Sequence, residues 1–210
     1  IDFSFLDAAK DFPGGFVWFI EQFMPNAKAF DQMGKITSAL AMTILDAIAA
    51  GTLAAIIAFV LAVIASRVSG VGGPVQMVIR AFATVLRNIP TVAWGFILLF
   101  SFKQAEFTGF LALFFKSLGF LTRAFIETID EVDAGSIEAL KATGASKLQI
   151  IVHGVFPLSL TQVVSWVLYM IETNFRDATL VGMLTGTGIG FVFNWYYRTF
   201  KYPTAGLVII

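Results

Sequence analysis

The side chains that could do chemistry in this chain are few. His153 is the single histidine and there is no cysteine. No thiolate nucleophile, disulfide framework or multi-histidine metal site can therefore be assembled, and a lone imidazole reads as a solvated loop residue rather than a catalyst. Lys116-Ser117 lacks the glycine spacing of a phosphate-binding loop, and Gly186-Thr187-Gly188-Ile189-Gly190 has no strand before it, so neither predicts nucleotide binding. What remains is charge set among apolar residues: Arg87, Glu172, Arg176 and Asp177, with Asp46 and Lys116 inside long uncharged runs. Arginine presents a planar fork of donors suited to an oxyanion. Arg176 is therefore expected to meet an anion near the outer end of a path, with Glu172 and Asp177 helping to hold it and Arg87 as a further pathway residue. The plainer alternative is a local charge cluster at the end of a span, satisfied by water or by pairing.

The elements that must position these residues follow from composition. Of 210 residues, 58% are hydrophobic and 13% charged, with 23 Phe and a mean hydropathy of +0.83; a soluble domain carries about 25% charge. The economical solvent for such a surface is lipid, so an all-α, polytopic integral membrane protein is expected. Lys plus Arg equals Asp plus Glu, 14 against 14, and no basic excess points to nucleic acid. The first span is expected over 47–65, starting as far back as 36–41, which would put the Asp46 carboxylate inside the membrane, where it must face the bundle interior or water. A loop at 71–74, a span at 87–103 kinked by Pro90, one at 107–125 interrupted by Lys116 and one at 154–171 entered through Pro157 follow. The glycines of 182–190 suggest a segment that either spans under close packing or re-enters, and 202–210 opens a fifth span. Residues 1–35 are expected to be an extracytoplasmic segment ahead of a membrane domain at 36–210, in a chain truncated before it. No secretory signal is visible in the first ten residues.

Between 127 and 153 the composition turns polar. Asp133 is a plausible N-cap, Gly144 a C-terminal stop, and Ser146 with Gln149 a capping-box pattern, predicting two short helices joined at Gly144. Lys and Arg near the span ends, Arg67, Arg80, Arg87, Arg123, Lys141 and Lys147 against Lys103 alone on the opposite short loop, put this excursion on the cytoplasmic side. Such a hairpin standing off the membrane offers a compact knob whose apolar face, Ile137 and Leu140, is expected to fill a groove on a soluble partner.

The spacing within the knob carries a resemblance. Glu138-Ala139-Leu140, then Gly144-Ala145 six residues after Glu138, then Pro157 thirteen residues after Gly144, resembles the EAA loop of bacterial ABC importer permeases, with Leu140 standing where alanine is usual. Arg87-Asn88-Ile89-Pro90 leading to Trp94, the segment from Gly119 through Glu127 and Glu131 to Ser146, and Glu172-Thr173-Asn174-Phe175-Arg176 leading to the glycine run resemble the permeases of phosphonate importers, from about Ile36 to Ile210. The resemblance implies a type I ABC importer (MetI-like) transmembrane domain with a cytoplasmic coupling helix, in the bacterial inner membrane. It implies as partners a second permease copy, two cytoplasmic ATPase subunits and an extracytoplasmic solute-binding protein that delivers phosphonate, phosphite or a related phosphorus oxyanion. The permease itself would hold no cofactor, ATP being bound by the partner subunit, and would not be an enzyme. Ile137, Glu138, Ala139, Leu140, Gly144, Ala145 and Pro157 would then form the ATPase coupling site. A permease for another small solute such as methionine, and a non-ABC secondary transporter or channel, are the competing readings.

Overall fold

A computed structural model describes residues 5–68, 72–132 and 134–210, and every regular element in them is helical. In chain order these are α1 (Phe5–Phe23), α2 (Ala27–Phe30), α3 (Met33–Ala65), α4 (Gly73–Asn88), α5 (Thr91–Phe102), α6 (Glu106–Asp130), α7 (Ala134–Ala142), α8 (Lys147–Ile150), a π-turn (Ile151–Val155), α9 (Phe156–Thr185), α10 (Gly188–Arg198) and α11 (Tyr202–Ile209). The helices α3, α6 and the continuous run Lys147–Thr185 are each long and apolar enough to cross a membrane.

α3 is the post of the bundle. At about 1.5 Å per residue its 33 residues reach roughly 50 Å, and it begins well before 47, so Asp46 does lie within it. One side is a stripe of small buried residues, Ala39, Thr43, Ala47, Ala50, Ala54, Ala58, Ala62 and Ala65. Small side chains at this spacing let neighbouring backbones approach closely, and α6 and α9 take that approach. Above the stripe sits the main core, where Leu121, Phe125, Ile126 and Ile129 of α6 and Met170 of α9 pack against Ala54, Ala58 and Ala62.

Two of the expected spans are redrawn. The segment 87–103 is not one kinked span: α4 and α5 meet at 95° across Ile89 and Pro90. Proline has no N–H to continue the ladder, and α5 is only about 18 Å long on its 12 residues. The bend is held from outside, because Gly119 of α6 lets the Leu86–Arg87 backbone lie so close that a β-carbon there would sit 2.5 Å from the Arg87 nitrogen. The second change is that the helix expected to stop at Ile171 runs on through Glu172, Arg176 and Asp177 to Thr185. Of the loop expected at 71–74, Gly72 has φ +74° and α4 already begins at Gly73; Val71 lies outside the described residues, as does the Asp133 cap.

The glycine-rich segment is a tight turn between two packed helices. α9 stops at Gly186 in the left-handed conformation, and the 11-residue α10 starts two residues later, too short to cross on its own. α10 then follows α3, with the Ile189 N–H donating to Thr43 Oγ1 (2.9 Å) and the Tyr196 hydroxyl to Gln32 Oε1 (3.1 Å). A β-carbon at Gly190 would lie 1.9 Å from the Thr179 carbonyl oxygen, whereas one at Gly34 would meet nothing within 4 Å. Gly190→Ala should therefore lower stability by about 1–3 kcal/mol or block assembly, while Gly34→Ala should leave the melting temperature of the detergent-solubilised protein unchanged or slightly raised. Equal melting of the two variants would contradict this packing.

Candidate functional site

The first site is the knob at 134–155. α7 ends in a Schellman turn: the Ala145 N–H reaches the Leu140 carbonyl (3.2 Å), the Gly144 N–H reaches Lys141 (3.0 Å), and Gly144 takes φ +79°. Ser146 then opens α8 with a complete capping box, its N–H donating to Gln149 Oε1 (2.8 Å) and its hydroxyl accepting from the Gln149 N–H (3.4 Å). Two stiff short helices thus meet at Gly144, as the sequence led one to expect. Beyond α8 the ladder slips to π geometry over Ile151–Val155 and ends with the Phe156 N–H on the Ile151 carbonyl. Pro157 cannot donate to a carbonyl four residues back, and the slip lies immediately ahead of it. His153 is exposed on this turn rather than in a loop.

The apolar face of the knob points the other way from the expectation. Ile137 is only 2% exposed and belongs to the main core with partly buried Leu140. Both lean on Gly154, where a β-carbon would sit 2.8 Å from Leu140 Cδ1 and 3.1 Å from Ile137 Cδ1. These two side chains fasten α7 to the root of α9. The outer surface is made by Glu138, Ala139, Lys141, Ala142 and Gly144, all exposed, with Ala145 half-buried. Its large apolar residues are Leu148, 71% exposed, and Val152, 50% exposed; helical spacing groups Leu148 with the apolar Ile151 and Val155 but does not mark it as outward-facing, and the available signal was a leucine two positions after a helix cap in a polar excursion.

The second group is the charged set on α9, and the four residues singled out from sequence are not gathered together. Arg176 pairs with Glu172 one turn back (Nη2–Oε1 3.2 Å), both side chains 69% exposed. Asp177 turns inward instead, where it accepts hydrogen bonds from Lys116 Nζ of α6 and from Thr91 Oγ1 of α5 (2.5 Å). Arg87 stands exposed near the end of α4, before the bend. Lys116, one of the two charges set inside long uncharged runs, is thus paired with Asp177 of α9.

One turn before Asp177, Asn174 is fully buried. It donates to the Ala47 carbonyl (3.4 Å) and exchanges hydrogen bonds with Ser117 (3.0 and 3.2 Å). A polar layer thus ties α3, α5, α6 and α9 together. Lys116 stands 14 residues before Asp130, about 21 Å of helix. At the far end of α6, Asp130 accepts from the Arg67 N–H (2.6 Å) and Arg80 Nη2 (2.7 Å), while Arg80 Nε and Gln76 Nε2 cap the Ala65 carbonyl of α3. This clamp ties α3, α4 and α6 below the layer. Among the described residues no group of acidic or histidine side chains is placed to hold a metal ion.

The chain matches the family described as "Binding-protein-dependent transport system inner membrane component" over residues 54–210. It is 30% identical to the phosphite transport system permease protein PtxC of Stutzerimonas stutzeri over 80% of this chain and 61% of that protein. It is 30% identical to the phosphate-import permease protein PhnE of Mycolicibacterium smegmatis over 86% and 34%, and 37% identical to the putative cryptic phosphonate transport system permease protein PhnE2 of Escherichia coli over 48% and 83%. The chain thus spans less than two thirds of the length of the first two. Among solved structures, an inward-facing MetNI methionine ABC transporter chain superposes with a TM-score of 0.72 at 17% identity, covering 85% of this chain and 90% of that one. A chain of an amino acid ABC transporter crystallised with histidines gives 0.64 at 15% identity, covering 100% and 89%. At such identities the likeness is one of fold. Family match and shared helical scaffold together establish the conclusion: the chain belongs to the inner-membrane permease components of binding-protein-dependent ABC transporters, multi-pass membrane proteins that are not themselves enzymes.

Proposed function

We propose that the chain is the permease subunit of an ATP-driven importer for phosphonate, phosphite or a related phosphorus oxyanion. It works as a homodimer with two cytoplasmic ATPase subunits and an extracytoplasmic binding protein. The observation that carries this reading is the knob itself, a doubly capped helix pair fastened by its own apolar face and presenting Glu138, Ala139, Gly144 and Leu148 outward. The phosphorus chemistry is supported by the names of the phosphite, phosphate and phosphonate permeases the chain resembles.

A second copy is called for by the exposed face of α9. The row Leu160, Val164, Leu168, Glu172, Arg176, Leu180, each four on from the last, is exposed along its length. Charged side chains facing lipid cost about 2.5–3.5 kcal/mol each at membrane depth. A row that carries both signs there is better served by a wet path between two copies, across which Arg176 would offer its guanidinium to an oxyanion. Closure of the ATPase subunits on ATP would move the docked knobs, and through them α9. The polar layer at Asn174 and Asp177 would keep α9 attached to α3, α5 and α6 while it moves.

The docking role is tested by Leu148→Asp, which should leave the permease inserted yet reduce co-purified ATPase at least about tenfold, the scale of losing one interfacial anchor. Ile137→Ala should act differently, lowering thermal stability by about 2–5 kcal/mol because it empties a core site. Full ATPase recovery with the Leu148 variant would end the docking role. For the pathway, transport driven by the phosphite-loaded binding protein should fall in Arg176→Lys and fall further in Arg176→Ala, with ATPase docking unchanged. If the double change Arg176→Ala with Glu172→Ala restores transport, the arginine serves only to neutralise Glu172 and does not touch solute.

A further inference from the structure

The end of the bundle opposite the knob holds a cleft of about 490 Å³ between α2, the start of α3, and the α10–α11 turn. Lys28, Lys35 and Lys201 line it, all exposed, and no carboxylate does. Among the described residues none of the three lysines is in an ion pair. The neutral polar groups of the lining point the same way. Asn26 spends its carbonyl oxygen on the Ala29 N–H (2.9 Å) and Gln32 spends its own on the Tyr196 hydroxyl (3.1 Å). Each side-chain amide therefore has its NH₂ group left over. The cleft offers three ammonium groups, two amide donors and no carboxylate, a lining suited to an anion with several oxygens.

The cleft has an apolar extension. A groove of about 320 Å³ shares Lys35, Trp195 and Tyr196 with it and continues along Phe191 and Val192. Along α10 the direction is fixed by two contacts: Tyr196 stands at Gln32, before the first turn of α3, and Ile189 at Thr43, eleven residues further along that helix. Phe191 and Val192 therefore lie deeper in the bundle than the lysines. A cationic head with an apolar tail running inward is the shape of a phospholipid, and Trp195 at the junction suits the headgroup level. The preference of cations for the opposite, cytoplasmic end does not account for the cluster.

We propose that this cleft and groove form a binding site for an anionic phospholipid of the outer leaflet. Its phosphate lies among Lys28, Lys35 and Lys201, and an acyl chain lies along Phe191 and Val192. The site is separate from the solute path and does not depend on which solute is carried.

The test uses the intact permease reconstituted in phosphatidylcholine vesicles doped with phosphatidylglycerol, with retained lipid read by native mass spectrometry. Phosphatidylglycerol should be retained in preference to phosphatidylcholine. The triple variant Lys28→Gln, Lys35→Gln, Lys201→Gln should lower that retention about a hundredfold, on the usual contribution of one basic side chain near an anionic headgroup. The corresponding triple arginine variant should keep it, which separates lost charge from a misfolded protein. Phe191→Asn should weaken phosphatidylglycerol retention alone. Inorganic phosphate, followed by phosphorus NMR line broadening, is the second arm. Saturable phosphate binding without any preference for phosphatidylglycerol would overturn the lipid assignment, and unchanged retention in the triple glutamine variant would overturn the site.

Discussion

The structure depends on how closely α3 lets other helices come. Lipid gives helices no hydrophobic reason to associate, so contact must be earned by packing and by polar groups that reach one another. The small-residue side of α3 supplies the first condition and, in consequence, the second. Because nothing larger than alanine or threonine stands on that side at Thr43, Ala47 and Ala50, the Asn174 amide of α9 can reach the Ala47 carbonyl, and the Thr43 hydroxyl can receive the Ile189 N–H in the first turn of α10. Bulk at any of these positions would push α9 outward and leave Asn174, Ser117 and Asp177 without their partners.

The same economy governs the knob. A short helix pair in water would be marginal by itself, and this one is held by two side chains sunk into the core and by caps at both sides of Gly144. With Ile137 and Leu140 used for attachment, what it can offer a partner is a small-residue face with Leu148 and Val152. Such a face permits close backbone approach without a large exposed hydrophobic patch.

What could be read from the sequence divides along the range of the forces involved. The turn at Gly144 and the Ser146–Gln149 cap were legible because their hydrogen bonds join residues within one turn. The long apolar helix at α3 was legible because lipid demands length and composition. Pro90 marked a break, but its 95° angle depends on Gly119, a residue on another helix that admits Leu86 and Arg87. Lys116 stood out as a charge within an apolar run, but its partner Asp177 lies 61 positions away on another helix. Periodicity found the apolar face of α7 and could not say whether it met its own chain or another. Arg176 and Asp177 are neighbours in sequence and so stand about 100° apart on a helix, which is why they serve different surroundings.

The fusion of the knob to α9 has a mechanical meaning. From Lys147 to Thr185 the chain is one helical rod of 39 residues, about 58 Å long, and Ile137 and Leu140 bolt α7 onto its lower end. A rod pivoting near that end magnifies displacement: a tilt of about 5° swings the other tip by roughly 5 Å over this length. The one irregular joint along it is the π-turn at Ile151–Val155, and Ile137 and Leu140 press on Gly154 inside that turn. The joint is thus braced from the side by α7: under the docking role proposed above, a push on the knob would reach Arg176 along a rod whose one irregular segment is clamped by two side chains.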